Sequence, residues 1–142
     1  MIRPLEISQR DAAVTLWETC GLVRPWNDPY ADLDRAMSGR RSTVLGAFEN
    51  RTLVATAMVG DDGHRGWVYY LAVDPEYRGR QLGRALMQAC ETWLAGRGAP
   101  KLNVMIRGDN AVTRGFYEAL GYTQDDVVVY SRRFSDAGSP SA

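Results

Sequence analysis

Between Trp67 and Leu94 the hydrophobic pattern of the chain changes period once, across a short basic loop. The apolar run Trp67-Val68-Tyr69-Tyr70-Leu71-Ala72-Val73 stops at Asp74-Pro75, and Glu76-Tyr77-Arg78-Gly79-Arg80-Gln81-Leu82-Gly83 follows. Beyond the loop, Leu82, Leu86, Ala89, Cys90, Trp93 and Leu94 recur at the spacing of one helix face. The order is strand, basic loop, helix. The first turn of a helix has backbone N–H groups without intrahelical partners, and the macrodipole places partial positive charge there. Glycine lets a ligand approach the backbone closely, and Arg78, Arg80 and Arg84 add full charges, so the natural occupant is a phosphate or pyrophosphate. Two other phosphate loops are excluded. No Gly-Lys-Ser/Thr is present, and no G-x-G-x-x-G follows a strand.

A length of 142 residues suits one compact domain with a real core. The formal net charge is zero, so no global field favours nucleic acid or an anionic membrane as partner. No apolar run reaches spanning length, and Met1-Ile2-Arg3-Pro4-Leu5-Glu6 does not read as a signal peptide, so a cytoplasmic protein is expected. Cys20 and Cys90 lie on apolar helix faces at a spacing that matches no metal motif. They read as reduced core thiols, and no metal site is expected.

In chain order, Ile2 to Ile7 reads as a first strand, Ser8 as a helix cap with Asp11 three residues on, and Ala13, Leu16, Trp17 and Cys20 as the buried face of the first helix. Asp28 caps a second helix with Pro29 at its first position. The preceding turn holds Arg24 and Trp26. Either Trp26 covers the core while Arg24 meets solvent, or the two border a pocket. Thr43 to Glu49 and Thr52 to Gly60 form a hairpin about Asn50-Arg51, the second strand apolar enough to be covered on both faces. Gly60-Asp61-Asp62-Gly63-His64-Arg65-Gly66 reads as a turn on composition, yet it gathers two carboxylates, the only histidine and an arginine. Leu102 to Ile106 is a strand, Val112, Phe116 and Leu120 mark the core face of a last helix, and Tyr122 to Thr123 with Val127 to Phe134 read as closing strands. Residues 1–134 are expected to form the domain, and 135–142 a disordered tail.

Leu71-Ala72-Val73-Asp74-Pro75-Glu76-Tyr77-Arg78-Gly79-Arg80-Gln81-Leu82-Gly83-Arg84-Ala85-Leu86 resembles the acetyl-CoA signature of the GCN5-related N-acetyltransferase (GNAT) superfamily, Arg/Gln-x-x-Gly-x-Gly/Ala. Arg78 and Gly83 match, and Gln81 stands where the first glycine is usual. Asn110-Ala111-Val112-Thr113-Arg114-Gly115-Phe116-Tyr117-Glu118-Ala119-Leu120-Gly121-Tyr122 is similar to the second signature, in which the asparagine contacts the pantetheine arm and the tyrosine protonates the departing CoA thiolate. Spacing alone leaves Tyr117 as a boundary residue beside the core stripe. The segments Leu16 to Pro29 and Asp62 to Gly66 are similar to the YpeA-like branch of bacterial GNAT proteins. The resemblance implies an α/β (α+β) fold, a mixed twisted central sheet with helices on both faces, whose central strand diverges from the next one.

The resemblance further implies acetyl-CoA as co-substrate, held by Arg78, Gly79, Arg80, Gln81, Leu82, Gly83 and Arg84, by the main chain of Leu71, Ala72 and Val73, and by Asn110 and Tyr117. Tyr117 is the implied catalytic acid. The second partner is an amine acceptor, a small molecule or a protein, and a homodimer is the candidate assembly. Arg24, Trp26, Asp62, His64 and Arg65 are the candidate acceptor-binding residues, and two arginines beside a tryptophan suit an acceptor that also carries a carboxylate or phosphate. Many relatives place a glutamate base on the central strand, where this chain has Tyr69 and Tyr70. Glu18, Asp61, Asp62 and His64 are left as candidates, none singled out. The rival reading is a non-catalytic acyl-CoA-binding domain of the same fold.

Overall fold

The structure, a computed structural model, describes residues 1–134, so the tail expected at 135–142 lies outside the described residues. Two compact units are present, one covering Met1–Val104 and the other beginning at Met105. The first holds β1 (Ile2–Pro4), α1 (Arg10–Thr19), α2 (Pro29–Ser38), β2 (Ser42–Glu49), β3 (Thr52–Asp61), β4 (Gly66–Val73), α3 (Leu82–Ala95) and β5 (Leu102–Val104). The second holds α4 (Ala111–Ala119).

The sheet runs in the order β1-β2-β3-β4-β5, antiparallel through β4 and parallel between β4 and β5. A mixed sheet follows from the connections. Asn50 and Arg51 both take positive φ, 49° and 70°, the geometry of a two-residue hairpin whose twist matches its strands. By contrast, β4 reaches β5 through α3, a crossover that returns the chain parallel. Asp28 accepts from the amides of Tyr30 and Ala31 and Pro29 opens α2, as the sequence predicts.

Helices cover both faces of the sheet. Leu33, Trp17, Val14, Val44, Phe48 and Ala72 form one cluster, so α1 and α2 lie over the face that carries Ala72. On the other face, the Leu94 side chain leaves no room for any side chain at Gly66, so α3 is seated directly on β4. Leu86, Met87, Cys90 and Leu94 are the buried positions of α3. Burial pushes the Cys90 thiol up to about 12, which fits an inert core cysteine. Cys20 is only half-buried, and its thiol meets the Val73 carbonyl at 3.4 Å.

Four sequence expectations are corrected. The first strand stops at Pro4, not Ile7, because Ile7–Gln9 winds into a 3-10 turn. Its capping box joins Glu6 and Gln9, not Ser8 and Asp11. The strand expected at Leu102 to Ile106 ends at Val104. No closing strand forms among the described residues after β5: Val127, Val128, Val129 and Tyr130 are 65–93% exposed. Their β-branched run carries strand propensity, but propensity alone, without cross-strand pairing, does not make a strand.

Candidate active site

The loop after β4 is built to end the strand and open a helix. Asp74 accepts from the Glu76 amide at 2.9 Å and tightens Pro75–Tyr77 into a 3-10 turn. Gly79 follows at φ +81°, and Gln81 at φ 64°, ψ 21° is left-handed. A non-glycine residue there costs about 1–2 kcal/mol, which is the physical reason a glycine is the usual choice at that place in the signature. The backbone has adopted the glycine conformation with a glutamine in it.

The first bond within α3 is from the Ala85 amide to the Gln81 carbonyl at 3.0 Å, and no side chain caps the helix. No acidic residue stands in its first turn. The amides of Leu82, Gly83 and Arg84 thus open a helix N-terminus suited to an anion, and this is the fit a pyrophosphate requires. The arginine side chains are partly engaged elsewhere. Arg78 Nε donates to the Val73 carbonyl at 3.3 Å, and Arg84 Nε to Gln81 Oε1 at 3.2 Å. Arg80 pairs with Glu49 at 3.1 Å and lies over the Tyr77 ring. An anion seated at this turn would meet main-chain amides first, with the guanidinium groups adding field.

Along β4, pairing with β5 runs only from Gly66↔Leu102 to Val68↔Val104. From Tyr69 onward that edge of β4 has no ladder partner in its unit. On the β3 side, Thr56↔Ala72 and Met58↔Tyr69 leave one extra residue in β4, a bulge. Tyr70 occupies it at φ 52°.

Sequence reasoning passed over what surrounds Tyr70. Its ring stacks on Trp17 at 3.9 Å between centroids, and its hydroxyl donates to Asp32 Oδ2 at 2.8 Å. Burial first, and then the Asp32 contact, push this phenol well above its ordinary value. Thr56, fully buried, accepts from Trp17 Nε1 at 2.8 Å and donates to the Tyr70 carbonyl at 3.0 Å. A lone threonine inside the apolar run of β3 was the available signal.

The acceptor-side candidates lie on two different loops. In the β3–β4 turn, Asp62 Oδ1 accepts from the amides of Arg65 at 2.7 Å and His64 at 2.8 Å, and Oδ2 accepts from Trp67 Nε1 at 3.1 Å. Asp61 Oδ1 accepts from the Gly63 amide at 2.8 Å, so both carboxylates build the turn itself. Arg65 donates to the His64 carbonyl at 3.1 Å. In the α1–α2 loop, Arg24 donates to the Gly21 carbonyl at 2.6 Å, beside a half-buried Trp26.

The amides of Arg65 and then His64 hold the Asp62 carboxyl below the usual carboxylate value of 3.8. The folded state therefore favours the ionised form. Its stabilisation is present above the unfolded value and lost as pH falls through the lower folded one. Melting temperature is expected to fall less steeply between about pH 4 and pH 2 in Asp62→Asn than in the natural protein. Superimposable acid limbs would show that this carboxylate is not coupled to folding.

In the second unit, Asn110 caps α4, its Oδ1 accepting from the Thr113 amide at 3.1 Å. The expected core stripe is corrected here. Val112 is 87% exposed, and Tyr117, expected beside the stripe, is the buried residue of α4 at 7%. Leu120 is the C-cap of this nine-residue helix, so of the expected stripe only Val112 and Phe116 lie within α4. Phe116 and Tyr122 meet the Tyr117 ring edge-on at 5.0 and 5.6 Å.

Comparison with known proteins agrees with this arrangement. An acetyltransferase of Yersinia pestis (strain Pestoides F) is 43% identical over 132 residues, 93% of this chain and 94% of its own. The ribosomal-protein-S18-alanine N-acetyltransferase from Escherichia coli superimposes with a TM-score of 0.76 at 26% identity, over 88% of this chain and 78% of its own. The aminoglycoside N-acetyltransferase AAC(6')-Iy in complex with CoA shares the fold alone, with a TM-score of 0.81 at 16% identity over 95% of each chain. The profile of the acetyltransferase (GNAT) family matches residues 11–122, from α1 through the end of α4. An uncapped helix after the central strand, a strand edge left open beside it and a family match across most of the chain converge: this protein belongs to the acetyltransferase (GNAT) family.

Proposed function

We propose that this protein transfers the acetyl group of acetyl-CoA to a primary amine of a small molecule or protein, and that residues 1–134 act as one acetyltransferase domain. The observation that carries the reading is the open N-terminus of α3, with Gly79 and Gln81 left-handed and no side-chain cap, directly after the β4 edge that β5 leaves unpaired. The E. coli neighbour's name supports nitrogen as the acceptor atom, and the CoA complex of AAC(6')-Iy supports the co-substrate.

In this reading the amides from Arg78 to Arg84 hold the pyrophosphate, and Leu71, Ala72 and Val73 meet the pantetheine arm through main chain. Ala72 contributes only backbone, since its side chain is buried in the core. The Val73 carbonyl already accepts from Arg78 Nε, so its contact would run through the amide. Asn110 and Tyr117 serve the arm and the leaving thiolate. An amine of the lysine type must lose a proton before it attacks, since its pKa is about 10.4 in water. Asp62, held ionised by its turn, is a poor proton acceptor, which shifts weight toward Glu18, Asp61 and His64, acting directly or through water. Arg24, Trp26, Asp62, His64 and Arg65 border the acceptor side.

The test is product identity. Acetyl-CoA labelled in the acetyl group is incubated with the protein and mixed primary amines, peptides and alcohols, and products are identified by mass spectrometry. The reading expects label in an amide. Label found only in esters or free acetate overturns it, and labelled acetyl-CoA bound but never consumed favours the non-catalytic domain.

A further inference from the structure

Tyr70 is the one residue of β4 whose backbone an ordinary strand would not contain. An aromatic side chain at φ 52° is strained and persists only where its surroundings over-determine it. Those surroundings converge on Thr56, a polar side chain at 0% exposure in a strand whose neighbours Val54, Ala55 and Ala57 are also fully buried. Thr56 stands opposite Ala72, across the bulge from Tyr70. Its oxygen takes the indole proton of Trp17, so its own proton goes to the carbonyl of Tyr70. The Trp17 ring then closes over the Tyr70 ring, and Asp32 holds the far end of that side chain. Asp32 is itself fixed by Arg35 at 2.5 Å.

The consequence lies in the main chain. One extra residue in β4 places Tyr69 on the same face as Ala72, although three positions apart they would otherwise face opposite ways. It also re-aims the backbone groups that follow, at the point where the β5 side of the strand is unpaired. We infer that Thr56 is a positioning residue for acetyl transfer, holding Tyr70 left-handed so that the Tyr70–Leu71 main chain presents its groups to the reacting thioester. This rests on the function proposed above. Thr56 touches neither substrate. It acts through a carbonyl.

Thr56→Val keeps the shape and removes the hydroxyl. With the full-length protein, kcat is expected to fall roughly 10- to 100-fold, the order that a small misplacement of reacting groups costs. The Kd for acetyl-CoA, set chiefly at the Arg78–Arg84 loop, should stay within about threefold, a change of only ~0.65 kcal/mol. Thr56→Ser keeps the hydroxyl and should retain most of the natural kcat, a rescue that a purely space-filling role does not predict. A folded Thr56→Val with natural kcat overturns the inference while leaving the proposed function standing. A natural protein that acetylates no amine overturns both. Should Thr56→Val fail to fold, NMR on the natural protein decides. A slowly exchanging Thr56 hydroxyl proton and a left-handed Tyr70 are expected, and a Tyr70 with negative φ sinks the inference.

Discussion

Tyr117→Phe is expected to lower kcat by about 10²–10⁴-fold, the usual worth of a positioned general acid, while acetyl-CoA affinity stays nearly unchanged. A phenol, with an ordinary pKa near 10, is protonated at neutral pH, and a thiolate whose parent thiol titrates near 8.5 can take that proton as the C–S bond breaks. Because the proton is needed only at that moment, its loss falls on kcat and not on binding. The burial of Tyr117 sharpens the test. The variant keeps the ring, so the edge-on contacts to Phe116 and Tyr122 survive, and the loss of a hydroxyl contact costs about 0.5–1.5 kcal/mol. Melting temperature should therefore drop by a few degrees at most, far too little to account for a hundredfold loss of rate. A role confined to packing predicts the reverse, with stability lost and turnover per folded molecule preserved.

Gly83→Glu should remove acetyl-CoA binding altogether at usable concentrations. Gly83 is the second residue of α3, within the uncapped first turn. A glutamate there supplies its own carboxylate to amides that a pyrophosphate would otherwise occupy, and repels that anion as well. Losing two charge-assisted hydrogen bonds at about 1.5–3 kcal/mol each weakens binding by about 10²–10⁴-fold. The fold should be spared, because an acid in the first turn of a helix is stabilising there. Calorimetry on the folded variant decides, and unchanged affinity would move the pyrophosphate site away from this helix. Arg78→Ala is expected to do much less, since Arg78 Nε is already bonded to the Val73 carbonyl.

Local geometry makes much of this site legible in the amino-acid sequence. The change from an apolar strand to helical spacing across a glycine-bearing loop locates β4, its loop and α3, because each period is set by neighbouring residues. Asp28-Pro29 and Asn50-Arg51 are readable for the same reason: caps and tight turns are decided by adjacent residues. What escapes is decided at long range. The bulge at Tyr70 depends on Thr56, Trp17 and Asp32, 14 to 53 residues away in the chain, and nothing in Tyr69-Tyr70 announces it. Arg78 and Arg80 read as phosphate ligands by charge alone, yet fold geometry supplies each with a partner, the Val73 carbonyl and Glu49. The run Val127-Val128-Val129-Tyr130 stays exposed and forms no strand, because pairing between strands is a long-range property that local propensity does not supply.

Amine-dependent consumption of acetyl-CoA is the central claim. The most direct measurement is steady-state release of free CoA from acetyl-CoA, with and without a pool of primary amines, on the natural protein and on folded Tyr117→Phe. The expected result is release that requires the amine, proceeds at a saturable rate in the natural protein, and is slower by at least about 100-fold in the variant. Release indifferent to the amine, or equal in the two proteins, would contradict it.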